Sequence, residues 1–407
     1  MKRNRIILTT GAAVTALVLA ACGGSSDSDS AAEAPQEDAA SSEEAVEEAP
    51  EEEPADDSGS DDSGSDDSGA DDAADSGAGD VPPWCGPNEI TLGFADGFGG
   101  NNWRLVTTET GRREAAKCPS VKELIYTDGQ GDLQKSISDI QGLVSQGADA
   151  VVVFPDASEA ILPTLQEAYG AGVVTVPYRV YPGGSDGDDY TAYIALDATN
   201  DGANYCAWIK KARPDGATVL VTSGPKGNSQ GTDMATELRA CLGAEGDKYT
   251  FVGEDPFEVT NWDPAETQKV ITAAVAKYPE IDVIASDFGP SLVGALPEFT
   301  KAGRPIPALA TSDGNILGCF WQDQQDAGNG FDMMTVATGN DHARTAIDYA
   351  VAVATGGEIP SSTAHQHALF EDSLDPDRPV QCDTSLPDYV FHSAELITAQ
   401  EQAALLE

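Results

Sequence analysis

From Glu89 onward the chain alternates short apolar runs with longer amphipathic ones. The first runs are Ile90–Ala95, Leu124–Thr127, Ala150–Phe154 and Val173–Pro177. Thr218–Thr222, Tyr249–Val252, Val283–Ala285, Ala308–Thr311 and Met334–Ala337 follow. Several are rich in Val and Ile and unbroken by polar residues, as strands buried on both faces of a parallel sheet require. Between them the spacing is helical. Leu133, Ile137, Ile140 and Val144 share one face, and Asp132 stands where an N-cap belongs. The same pattern predicts helices over Trp103–Lys117, Ala157–Gly170, Ala198–Lys211, Pro264–Lys277, Pro290–Ala302 and Asp341–Thr355. Strand and helix in alternation predict an α/β fold with parallel sheets. The 327 residues from 81 to 407 are long for one core, so two Rossmann-like lobes are expected.

The first 22 residues have a different pattern. Lys2, Arg3 and Arg5 precede an apolar, small-residue run from Ile6 to Ala21, which ends in Leu19-Ala20-Ala21-Cys22. A basic start, a short apolar core and small residues at the cut read as a secretory signal. The apolar run is shorter than the ~20 residues that span a bilayer. Residues 23–80 hold 22 Asp or Glu, no Lys or Arg, and Val46 as the one large apolar residue. Such a stretch cannot bury enough apolar surface to offset its ordering entropy, so it reads as a disordered acidic tether.

The formal net charge is −47, of which residues 81–407 hold −28. An acidic body argues against nucleic acid and anionic lipid as partners. Beyond Cys22 stand six cysteines, Cys85, Cys118, Cys206, Cys241, Cys319 and Cys382. An even number in an exported chain reads as three structural disulfides. Fifteen pairings are open to six cysteines, and the spacing favours nearest neighbours. No spacing fits a zinc pattern, and the chain has no Cys-x-x-Cys.

Ligands of parallel α/β sheets bind beyond the carboxyl ends of strands. Those positions are polar and aromatic here: Asp96-Gly-Phe-Gly-Gly-Asn101-Asn102-Trp103-Arg104, Phe154-Pro155-Asp156, Pro177-Tyr178-Arg179, Asn261-Trp262-Asp263, Ser286-Asp287-Phe288, Ser312-Asp313-Gly314 and Thr338-Gly339-Asn340-Asp341. Carboxylates and amides suit hydroxyl groups, and flat rings cover the C–H face of a sugar. The competing reading gives the short polar residues to helix caps and the rings to the core.

Four segments in order, Phe98-Gly-Gly-Asn-Asn-Trp-Arg104, Gln146-Gly-Ala-Asp-Ala-Val-Val-Val-Phe-Pro155, Gly172-Val-Val-Thr-Val176 and Thr311-Ser-Asp-Gly314, give the chain from about Ile90 to Thr363 a family likeness. It resembles the type I periplasmic sugar-binding proteins of ABC transporters, the group with ribose and galactofuranose binders. Leu-Ala-Ala-Cys similarly resembles a lipobox, which implies cleavage before Cys22 and its acylation. The resemblance implies two lobes joined by three crossings, near Ile194–Ala198, Asp332–Ala337 and Ala364–Glu371. The N-terminal lobe is then 81–195 with 337–366, and the C-terminal lobe 196–336 with 367–407. It places ring stacking on Trp103 and Trp262 and polar contacts on Asn101, Asp287, Asp313 and Thr338. Asn102, Arg104, Phe154, Asp156, Tyr178, Arg179 and Phe288 complete the candidate site. The chain departs from the ribose binders in three places. Tyr178-Arg179 replaces an Asp-Arg pair, Phe154 replaces an Asn, and no Arg stands near Thr232–Asp233.

The resulting expectation is a monomeric, lipid-anchored binder of a sugar or polyol outside the cytoplasmic membrane, without cofactor or metal, delivering its ligand to a permease. A receptor feeding a sensor kinase is the alternative. Enzymatic readings find no support: dinucleotide and Walker motifs are absent, and His365 and His367 lack an evident third metal ligand.

Overall fold

A computed structural model describes residues 81–406. The signal, Cys22 and the acidic tether lie outside these described residues. The chain runs through β1 (Ile90–Asp96), α1 (Asn102–Ala116), β2 (Val121–Asp128), α2 (Leu133–Ser145), β3 (Ala150–Phe154), α3 (Leu162–Gly170), β4 (Val174–Arg179) and β5 (Ile194–Leu196). It continues through α4 (Ala198–Ala212), β6 (Ala217–Ser223), α5 (Ser229–Gly243), β7 (Tyr249–Val252), β8 (Glu258–Val259), α6 (Pro264–Lys277), β9 (Val283–Ser286) and α7 (Pro297–Lys301). The remainder is β10 (Ala308–Ser312), α8 (Asn315–Asp326), β11 (Met333–Val336), α9 (His342–Thr355), β12 (Ala364–His365), β13 (Leu369–Asp372) and α10 (Ala399–Leu406).

Two sheets result, in the orders β12-β5-β4-β3-β1-β2 and β13-β11-β10-β9-β6-β7, with β8 on β6. All pairs are parallel except β11 with β13. The apolar runs explain why. Every residue of β3, β9, β10 and β11 is buried, so each strand needs cover on both faces. Alternation along β3 sends Val152 to a core with Ile347 and Val351 of α9, and Val151 and Val153 to a core with Leu143 and Leu165 of α2 and α3. The second sheet likewise separates two apolar clusters.

The chain leaves the first sheet after β5, returns after β11, and leaves again between β12 and β13. Three histidines gather at these passages. The His342 and His365 rings stack at 4.8 Å, and His367 Nδ1 lies 2.8 Å from Asp201 of α4. Disulfides join Cys85 to Cys118, Cys206 to Cys241 and Cys319 to Cys382, the nearest-neighbour pairing.

Three expectations need correction. The helix over Pro290–Ala302 is a 3-10 turn at Gly289–Leu292 followed by α7. Pro297 lacks an N–H and its ring would clash with the preceding turn, so a helix can begin there but not run through it. Pro163 similarly starts α3 after a 3-10 turn at Ser158–Ile161. The sequence also places all of 367–407 with the second lobe. β13 pairs there, but Phe391 and Ile397 are fully buried in the core of the first sheet, and α10 packs on α1.

Helices α4 and α5, bridged by Cys206–Cys241, approach closely at Gly202. A methyl there would meet the Met234 carbonyl oxygen at 2.4 Å. Backbone cannot yield as a side chain can. Gly202→Ala should therefore lower the unfolding free energy by about 1–3 kcal/mol despite its better helix propensity. Denaturant titration checks this, and unchanged or raised stability would refute the close-packing account.

Candidate functional site

Because the strands of each sheet run parallel, their carboxyl ends open on one side. There a cavity of about 290 Å³ is lined by groups from both sheets. The first contributes Asn101, Asn102, Trp103 and Arg104 after β1, Phe154 ending β3 and Arg179 ending β4. The second contributes Trp262, Asp287 and Phe288, and Thr338 comes from the passage after β11. These ten candidates come together. Asp156, Tyr178 and Asp313 do not line the cavity.

Local rules place the first group. Asn101 caps α1, its side chain accepting from the Arg104 N–H at 2.9 Å. The first turn of α1 then presents Trp103, whose Nε1 donates to the Thr338 carbonyl at 3.3 Å. Trp262 is held differently. Asn261 and Trp262 both have positive φ, +52° and +56°, a conformation costing roughly 1–2 kcal/mol per non-glycine residue. The indole lies against Gly224, where a methyl would fall 2.3 Å from the ring. Its Nε1 donates to Asp287 Oδ2 at 3.1 Å.

Two arginines differ in their compensation. Arg104 pairs with Asp96 at 3.1 Å and Asp156 at 2.6 Å, and its guanidinium carbon is 3.5 Å from the Phe154 ring centroid. Asp156 thus stands behind the cavity, holding Arg104. Arg179 is buried, yet it has no carboxylate within ion-pair distance among the described residues. Its Nε donates to Gln230 at 3.1 Å, and its terminal nitrogens donate to the Gly339 and Thr338 carbonyls at 3.2 Å each. Burial, then the nearby charge of Arg104, pulls its pKa down to about 10. The guanidinium also covers Trp103, 4.7 Å from the ring centroid.

Asp287 is the buried carboxylate among the residues lining the cavity. Oδ2 accepts from Ser223 at 2.7 Å and from Trp262, while buried Oδ1 has no partner among the described residues. Burial pushes its pKa up to about 6.

Tyr178 is fully buried beneath Phe154, edge to face at 5.0 Å. Strand alternation explains this, since adjacent residues of β4 face opposite ways and Arg179 points to the cavity. Asp313 faces the C-terminal segment instead, accepting from the Ser393 N–H at 3.0 Å, the Ser393 hydroxyl at 2.5 Å and the Thr338 N–H at 3.2 Å.

Further lining residues lay outside the candidate list: Phe98, Gln230, Asn261, Asp263, Pro264, Ser312 and Tyr389. Phe98, Asn261, Asp263 and Ser312 sit in the strand-end segments already singled out. Gln230 occupies the region where the missing arginine was sought. Nothing local marks Tyr389.

The pH dependence of Asp287 is a direct check. A carboxyl whose pKa is higher folded than unfolded stabilises the fold fully at pH below the unfolded value, and this is lost as pH rises through the folded one. The window runs from the ordinary 3.8 to about 6. Asp287→Asn removes that titration. From about pH 4 to pH 7 the unliganded wild type should lose up to about 3 kcal/mol relative to the variant. Parallel stability curves across that range would contradict the burial of an ionisable group here.

Residues 94–358 match the family of periplasmic binding protein domains. A ribose import binding protein of Bacillus subtilis (strain 168) is 25% identical over 247 residues, 58% of this chain and 75% of that protein. Among solved structures, the Caulobacter myo-inositol binding protein superposes with a TM-score of 0.59 at 21% identity, covering 69% of this chain and 93% of that one. The fructose binding periplasmic domain of a hybrid two component system reaches a TM-score of 0.60 at 17% identity, covering 70% and 92%. With two mostly parallel sheets, a cavity at their carboxyl ends and a match across most of the described residues, the chain belongs to the periplasmic binding protein domain family and has its type I fold.

Proposed function

We propose that the protein captures a small sugar or polyol between its two lobes outside the cytoplasmic membrane and delivers it, as a monomer, to the permease of an ABC transporter. The observation that carries this reading is a cavity walled by residues of both sheets. A solute filling it touches both lobes, binds the closed arrangement better, and so shifts the population toward it. At about 290 Å³ the cavity lies at the small end of the ~300–1,000 Å³ usual for ligand sites. Its chemistry suits a neutral polyhydroxylated solute. Trp103 and Trp262 offer ring faces, the Asp287 carboxylate is an acceptor for a hydroxyl, and Asn101 and Asn102 offer both donors and acceptors.

Acylation of Cys22 would hold the chain at the membrane, where tethering raises its effective concentration near a permease. Among the described residues no helix is long and apolar enough to cross a membrane. The likeness to the fructose binding domain of a two component system favours one second reading, a receptor for a sensor kinase. Deleting the gene separates the two. Transport predicts lost uptake of the ligand, and sensing predicts intact uptake with a lost transcriptional response.

The binding reading is tested by thermal shift and calorimetry with D-ribose, L-arabinose, D-fructose, D-galactose, myo-inositol and xylitol. At least one should raise the melting temperature, since a ligand binding only the native state stabilises it. Trp262→Ala should then weaken that ligand at least about tenfold, through lost ring contact. Unaltered affinity would remove Trp262 from the site.

A further inference from the structure

After β13 the chain does not stay with the second sheet. Residues 381–390 are laced to α8. Cys382 is bonded to Cys319. The Asn315 side-chain amide donates to the carbonyls of Asp383 at 2.9 Å and Pro387 at 3.2 Å. The first N–H groups of α8, of Asn315 and Ile316, donate to the Val390 and Asp388 carbonyls, each at 2.8 Å. These are N–H groups that a helix leaves unpaired internally, so the segment completes the helix terminus.

One residue later the chain belongs to the other lobe. Phe391 and Ile397 are 0% exposed in the core of the first sheet. Gln402, 1% exposed, closes this end, donating to the Phe391 and Ile397 carbonyls at 2.9 and 3.0 Å. Arg113 of α1 pairs with Glu401 at 2.7 Å. The transfer between lobes is marked by Asp313 holding Ser393. A strand-end carboxylate that the resemblance assigns to the ligand anchors this transfer.

We propose that residues 382–406 form a fourth link between the lobes, and that this link carries Tyr389 into the ligand cavity as a specificity-determining wall. Tyr389 is half-buried and lines the cavity alongside Trp262 and Asp263. Its flanking carbonyls, at Asp388 and Val390, are the two that α8 holds, so the ring is positioned from both sides by backbone. The link also limits opening. An extended residue spans only ~3.3–3.6 Å, and Val390 and Phe391 are adjacent. Separation beyond a few ångströms at this point breaks the Asn315 contacts or withdraws Phe391 from its core. The ring therefore stays at its wall as the lobes move, and it bounds how bulky a solute the cavity accepts.

The inference rests on the binding reading above, and calorimetry with the same six solutes separates their failures. Tyr389→Ala should lose threefold or more affinity for the wild type's best solute and gain relative affinity for bulkier ones such as sucrose. Tyr389→Phe then assigns the loss to hydroxyl or ring. The link is held by contacts other than the Tyr389 ring, so Tyr389→Ala should still unfold in one cooperative step, its unliganded melting temperature lowered only by the lost packing of the ring on the first core. If that variant does not fold, Tyr389→Leu is read in the same way. A wild type that binds one of the six while the variant binds it within threefold overturns the role of Tyr389 and leaves solute binding standing. A wild type that answers to none of the six sinks the binding reading and this inference with it.

Discussion

Everything at the cavity depends on the buried guanidinium of Arg179. It ends a strand of the first sheet, reaches Gln230 on the second lobe, and binds two carbonyls of the passage between them. No carboxylate neutralises it within ion-pair distance among the described residues, so its charge is met by dipoles from two separate parts of the chain, Gln230 and the Thr338-Gly339 passage. Burying a charge is expensive unless each donor is satisfied. Those partners are therefore held in register. The Thr338 carbonyl serves Arg179 and Trp103 together, which ties the ring of the first lobe to the same passage. Arg179 also takes a left-handed backbone conformation, φ +68°. Such strain persists where its surroundings over-determine it.

Around this cation the carboxylates divide by task. Asp96 and Asp156 hold Arg104 behind the wall, and Asp313 holds Ser393. Asp287 lines the cavity itself, and one of its oxygens is buried without a partner among the described residues. Burial raises Asp156, Asp287 and Asp313 alike to about 6, so an elevated pKa alone does not distinguish the one that lines the cavity. Geometry does.

Legibility followed the range of the interaction that decides each feature. The continuous apolar run of β3 and the 3.6-residue spacing of α2 are local, and both elements stand where the pattern puts them. Asp132 caps α2, accepting from the Lys135 N–H at 2.7 Å. Helix α8 was legible in principle, since Ile316, Leu317, Phe320 and Trp321 recur at helical spacing. Strands of two to four residues such as β8 and β12 carry too few positions to show a period. The cavity was legible as a set of strand ends, because parallel order places those ends together. Which residue of each end turns inward was not, as Tyr178 and Arg179 show.

The sequence by itself determined the alternation of strand and helix, the parallel sheets and the six cysteines available to pair, because each follows from periodicity or composition within a short window. Tertiary structure alone decided that Asp313 anchors a returning segment, that Tyr389 joins the cavity, and that Phe391 leaves one lobe for the other. Those outcomes depend on residues tens to hundreds of positions apart meeting in space. No local pattern encodes the balance of burial and hydrogen bonding that brings them together.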